Sequence, residues 1–92
     1  MTIDEYLRQP GAMTFRQLRD ALSLNHDAQL RQWQRGYKGR QPDTANCVLI
    51  ERATGGVCKR WDLRPNDWWR HWPDLIGTPG APAPVPLIKQ AA

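Results

Sequence analysis

Residues 14–36 read TFRQLRDALSLNHDAQLRQWQRG, two short amphipathic runs separated by a joint of three residues. In the first run Thr14 and Gln17 have the spacing of a capping box, in which each side chain satisfies the other's backbone N–H. Phe15, Leu18 and Leu22 then fall on one helical stripe. The joint, residues 23–25, carries Leu24, well placed to plug the angle between two helices. Asn25 or Asp27 can cap the second run, which ends at the Gly36 stop. Two helices joined by a tight turn in a small all-helical chain make the helix-turn-helix pattern, whose second helix enters the major groove of DNA.

The free face of that second helix follows from its pitch. Leu30 and Trp33 point to the core, and at 100° per residue the opposite face is Ala28, Arg31, Gln32 and Arg35. Arg makes paired hydrogen bonds to guanine, Gln pairs with adenine, and Ala allows close approach or contact with a thymine methyl. Gln29 and His26 flank this face as further base-reading candidates. Beyond Gly36 the loop YKGRQP supplies Tyr37, Lys38 and Arg40 for phosphates, with Thr14, Arg16 and Asn25 as candidates on the adjoining elements. Such contacts position a protein on a duplex, whereas contacts to base edges select the sequence.

Charge is distributed in keeping with this. Of the net +4, residues 14–42 hold six basic and two acidic side chains, while seven of each cancel in the rest of the chain. An excess confined to one segment is the footprint of a surface that meets phosphate.

Several function classes are disfavoured. With 92 residues there is room for one small domain and one modest core. The longest aliphatic run, CVLI at residues 47–50, is far below a membrane span. The start, MTIDEYLRQ, carries Asp4 and Glu5 where a secretion signal would be basic and then apolar, so a cytoplasmic location is expected. Cys47 and Cys58, ten residues between them, fit neither a CxxC ligand pair nor a disulfide framework, and a zinc site would have to recruit the distant His26 and His71. No His and carboxylate flank a Ser or Cys in a nucleophile motif, and there is no glycine-rich phosphate loop. We expect no metal, no cofactor and no catalysis.

Outside the central pair of helices, Ile3, Tyr6 and Leu7 predict a short helix over residues 3–8, stopped by Pro10 and Gly11. Asp43 is a good N-cap for a helix through TANCVLIERAT, with Cys47, Ile50 and Ala53 on one face and Leu49 beside them. Gly55 and Gly56 end it as residues able to take positive φ. In VCKRWDLRPNDWWRHWPDLIG, Asp62 and Asp67 are expected to cap one or two short turns, with Pro65 where a helix begins. Four of the five tryptophans lie here, and Trp68, Trp69 and Trp72 are the candidates for a dimer or partner contact. Stacking on single-stranded bases is the rival reading, disfavoured because the segment's charges nearly balance. From Thr78 the sequence TPGAPAPVPLIKQAA, with four prolines in fifteen residues, predicts a flexible tail. The expected organisation is a DNA-binding domain over 1–77 and a tail over 78–92.

The motifs IERATGG at residues 50–56 and WDLRPNDW at 61–68 resemble the signature of the YdaS-like transcriptional regulators, also called YdaS antitoxins, a Cro/CI-type helix-turn-helix family common in prophages. The resemblance covers roughly residues 14–69, and QWQRG fits the end of the family's recognition helix. It implies an all-α, four- to five-helix repressor-like fold that binds double-stranded operator DNA without catalysis, with a recognition helix over about residues 26–35. By analogy with such folds the protein acts as a homodimer on an inverted repeat. The antitoxin name carries an alternative: an interaction protein that neutralises a toxin-like partner through its Trp-rich segment and tail, with DNA binding secondary. Two residues depart from the pattern. Arg19 follows Leu18 where a small residue is usual, so its stem must cross apolar surface and its head reach water. Ser23 stands where Gly is usual, which leaves the start of the recognition helix open among Asn25, His26 and Asp27.

Overall fold

The computed structural model of the chain describes residues 1–84. Six α-helical segments follow one another, α1 Ile3–Leu7, α2 Phe15–Ala21, α3 Asp27–Arg35, α4 Thr44–Ala53, α5 Arg60–Leu63 and α6 Trp68–His71, with 3-10 turns at Tyr37–Gly39 and Pro73–Leu75. Among the described residues there is no strand, so the fold class is all-α. The expected four to five helices are matched by four of five residues or more, followed by two single turns.

Local chemistry sets the boundaries. Thr14 and Gln17 form the reciprocal box, Gln17 N–H donating to Thr14 Oγ1 at 3.1 Å and Thr14 N–H to Gln17 Oε1 at 2.9 Å. Thr2 and Glu5 make the same device at the start of α1. At the end of α2 the N–H of Leu24 donates to Arg19 O at 3.2 Å and that of Ser23 to Asp20 O at 3.0 Å, the paired closure that needs a left-handed residue. Ser23 supplies it with φ +57°, which explains why glycine suits that position. The same closure ends α4, where Gly56 N–H reaches Glu51 O at 2.8 Å and Gly55 and Gly56 take φ of +65° and +84°.

The expected caps are corrected in several places. His26, in extended conformation, precedes α3 and makes no side-chain cap, and neither Asn25 nor Asp27 caps it. The Asp27 carboxylate turns to Arg19 instead. Asp43 is the N-cap residue of α4, as expected, but its carboxylate accepts its close bond from Asn46 Nδ2, at 2.6 Å. Asp62 is the third residue of α5 and accepts from Lys59 N–H. Asp67 precedes α6 with its carboxylate held by Arg64 and His71, and Pro65 lies in the turn between α5 and α6, not at a helix start. For Asp27, Asp43 and Asp67 a side-chain donor outcompetes the free backbone N–H groups, whereas Asp62 does cap α5, from its third position, by accepting the N–H of Lys59.

The core draws on five helices. Ile3 and Tyr6 of α1, Leu18 of α2 with Leu22 just after it, Leu30 of α3, Cys47 and Ile50 of α4, Cys58 in the segment before α5 and Leu63 of α5 form one buried cluster. Burying each large aliphatic side chain stabilises by about 1.5–3 kcal/mol. Leu49, 41% exposed, faces away from it. Arg64 fastens the C-terminal turns to the start of α4, donating to Pro42 O at 2.7 Å while gripping Asp67 with two bonds.

Trp68 is 0% exposed, with Trp61 and Trp69 packed edge-on at centroid distances of 5.9 and 6.0 Å. It therefore has no surface to offer a second subunit, a partner or a nucleic-acid base. Trp69 and Trp72 are half-buried, and Trp72 packs on the core with the Arg60 guanidinium 5.3 Å from its ring. The expected flexible tail also changes in its described part. Thr78 Oγ1 donates to Leu75 O at 2.7 Å, Ala81 N–H to Thr78 O at 3.0 Å, and Pro84 is buried. The chain passes Trp61 so closely at Gly80 that a Cβ there would stand 3.9 Å from the indole. The rest of that tail, residues 85–92, lies outside the described residues.

Candidate nucleic-acid interface

Helix α3 is fixed by its inner face. Leu30 is 0% exposed, Trp33 packs half-buried on the core, and Gln34 Nε2 donates to Asp4 Oδ1 of α1 at 3.1 Å. With those residues inward, Ala28, Arg31, Gln32 and Arg35 come together with Tyr37 along one open groove, and no acidic side chain lines it. Ala28, Arg31 and Arg35 are exposed and Gln32 is half-buried. His26 and Gln29 fall in a neighbouring depression with Ser23, Leu24 and Asn25, and Ala28 is shared between the two. The flanking candidates therefore sit at the N-terminal end of α3, beside the groove.

Three interactions order the side chains of the groove. The Arg31 guanidinium lies 4.4 Å from the centroid of the Phe15 ring, a cation–π stack that aims its donors from α2 as well as α3. Arg40 Nη1 donates to Gln32 Oε1 at 3.2 Å, across eight residues. Lys38 Nζ stands 5.3 Å from the Tyr37 ring. The backbone beneath is sharply folded, because Gly36, Lys38 and Gly39 all take positive φ, and Lys38 at +51° does so without glycine's freedom.

The electrostatics follow from Arg19. Its stem is covered and its head stays at the surface, as expected, but there it is paired: Nη1 donates to Asp27 Oδ1 at 2.7 Å and Nη2 to Asp20 Oδ1 at 3.0 Å. Hydrogen bonds to Asp20 and Asp27 hold its pKa above the ordinary arginine value. Asp20 and Asp27 are the two acids of residues 14–42, so one arginine occupies both. Among the described residues, Arg16, Arg31, Arg35, Lys38 and Arg40 pair with no carboxylate; elsewhere Arg8, Arg60 and Arg64 each do, while Arg52, Lys59 and Arg70 do not. Arg16, Asn25, Tyr37, Lys38 and Arg40 are exposed, and so is Thr14, whose Oγ1 accepts within the capping box and keeps its O–H to donate outward.

Both thiols lie in the core. Burial pushes Cys47 up to about 12 and raises Cys58, so each is a neutral packing group at physiological pH.

The sequence marked the face of α3 but not the groups that order it. Phe15 counted only as a core residue, and no local pattern pairs it with Arg31. The one usable signal was Arg19, since a long cation at a helix crossing has to find a partner or water. Compared with protein-family models, with curated proteins and with solved structures, the chain matches none.

Proposed function

We propose that this protein is a sequence-specific double-stranded-DNA-binding regulator of the Cro-like type, with α3 in the major groove. The observation that carries the reading is an acid-free groove on α3 lined by Arg31 and Arg35, with Arg40 tied to it through Gln32 and Lys38 beside Tyr37, none of the four holding a carboxylate, while the segment's acids are both taken up by Arg19. Arg31, Gln32 and Arg35 read base edges, with Ala28 allowing close approach and Gln29 and His26 flanking. Arg16, Tyr37, Lys38, Thr14 and Asn25 contact phosphates. One such helix reaches only about four base pairs, so a homodimer on an inverted repeat, with half-sites about one helical turn apart, supplies the selectivity a genome demands. The resemblance to YdaS-like regulators agrees with this reading. The alternative, neutralisation of a toxin-like partner through the Trp-rich segment and tail, would use Trp61, Trp69 or Trp72 of that segment, because Trp68 is enclosed.

Footprinting the purified protein on the DNA upstream of its own reading frame tests the proposal. A two-fold protected site is expected, with affinity falling steeply in salt. Counterions displaced by Arg16 and Lys38, together with those displaced by Arg31 and Arg35 in the groove, about four in all, give a slope of log K against log salt near −3 to −4. Arg31→Ala and Gln32→Ala each should cost roughly 1–3 kcal/mol on that site and little on random DNA. Lys38→Ala should weaken both alike and reduce the slope by about one. A flat salt response, or tighter binding to single strands than to duplex, rejects the proposal.

A further inference from the structure

The groove contains one side chain whose chemistry depends on which way round it is held. A glutamine amide presents an acceptor and a donor pair on nearly isosteric ends, and a half-turn exchanges them. Adenine in the major groove shows the complementary pair, the N6 donor beside the N7 acceptor, and matches only one of the two orientations. A free Gln32 would be held in neither orientation.

Arg40 removes that freedom. Its guanidinium carries donors and no acceptor, so it can hold Gln32 only by Oε1, and the reversed amide would turn N–H groups against N–H groups. The carbonyl oxygen keeps a second lone pair for a base, and both N–H bonds of Nε2 stay available. The base of Arg40 is itself fixed, because its N–H donates to Tyr37 O at 2.9 Å and closes the tight turn of residues 36–39. Among the described residues no carboxylate competes for it.

Resting on the DNA-binding reading above, we propose that Arg40 is a positioning residue for base selection: it holds Gln32 in the one amide orientation that matches adenine, and its role is not that of a phosphate contact. The sequence alone placed Arg40 with the phosphate-binding group of the loop, and the two roles have different signatures. A phosphate contact acts on every duplex equally and sets the salt dependence. A positioning residue acts on discrimination at one base pair and only while Gln32 is present.

The test uses the full chain with Arg40→Ala, Gln32→Ala and the double variant. Each is titrated by fluorescence anisotropy against the footprinted site, the same site with each base pair at the adenine position, and a random duplex. Arg40→Ala is expected to lower the ratio of site to random affinity about tenfold and to flatten the preference for adenine at a single position, with the salt slope unchanged. In the Gln32→Ala background the same change should have no further effect on that ratio. The side-chain amide resonance of Gln32, followed by NMR without DNA, should move in Arg40→Ala while the remaining resonances show the domain folded. The inference is overturned if Arg40→Ala weakens site and random duplex by equal factors and reduces the salt slope by about one, or if its effect persists in full without Gln32. Wild-type protein that fails to distinguish site from random duplex instead removes the DNA-reading proposal itself, and this one with it.

Discussion

Arg19 and Asp27 meet across the corner between α2 and α3, with 2.7 Å between Nη1 and Oδ1. The same guanidinium holds Asp20, so two carboxylates near the basic groove are kept occupied. Arg19→Met keeps the apolar stem and removes the head, leaving both acids uncompensated. Binding to specific and random duplex should weaken by a similar factor, about fivefold at low salt. Adding Asp27→Asn should restore part of it, as read by titration at two ionic strengths.

Ser23 at φ +57° bears a backbone conformation that costs a residue with a Cβ about 1–2 kcal/mol. Ser23→Gly relieves this but adds freedom to the unfolded chain, worth about 0.4–1 kcal/mol in the other direction. A net stabilisation of up to about 1 kcal/mol is expected, whereas Ser23→Val should destabilise by about 1–3 kcal/mol. Chemical denaturation midpoints distinguish the two.

Phe15 supports Arg31 through the face of its ring. Phe15→Leu keeps an apolar group against the core but takes away the π surface, which is worth about 0.5–1 kcal/mol at an exposed site. Affinity for the specific site should drop about two- to fivefold, with random DNA little affected. Circular dichroism melting would report separately on any loss of packing.

Asp67 is held below the usual carboxylate range, first by its bonds to Arg64 and then by the Arg64 and His71 charges. A depressed folded pKa contributes stability at neutral pH that is lost as pH falls through it. Asp67→Asn should therefore lower the melting temperature at pH 7, and the gap from wild type should close as the pH drops below about 4. Thermal melts from pH 7 to pH 2.5 check this sign.

Trp68 and Trp69 are adjacent in sequence but unlike in environment. Trp68→Ala should cost about 3–5 kcal/mol by opening the aromatic cluster. Trp69→Ala, at a half-buried position, should cost less than half of that. If Trp69 serves a subunit contact, its loss should show in sedimentation of the DNA complex while the monomer stays folded.

Much of the fold was readable because periodicity and stops are local signals. The stripe through Leu18 and Leu22, the box at Thr14 and Gln17, and the pair Gly55–Gly56 all lie within a few residues of the features they determine. Failures came where a partner was distant or where alternatives were equal. Asp62 does cap α5, from its third position, but Asp67 looks like a cap until the competing Arg64 guanidinium takes its carboxylate. Nothing in a run of aromatic residues says that Trp68 is the one enclosed. The outward face of α3 was legible from its pitch, but the ties from Arg19, Phe15 and Arg40 depend on turns set by Ser23 and Lys38, two non-glycine residues in left-handed backbone that pattern alone does not reveal.

The five cations of residues 14–42 that hold no carboxylate give added salt two opposite effects. Mutual repulsion among Arg16, Arg31, Arg35, Lys38 and Arg40 works against the folded state, and ions that screen it raise the melting temperature. On the proposed DNA-binding role, those same ions compete with the protein for phosphate and weaken its hold on DNA. Bound duplex, by neutralising the patch, replaces the salt as the stabiliser. The free protein should be at its least stable in the dilute buffers where it binds best, and the melting temperature of the complex should decline with salt as that of the free protein climbs.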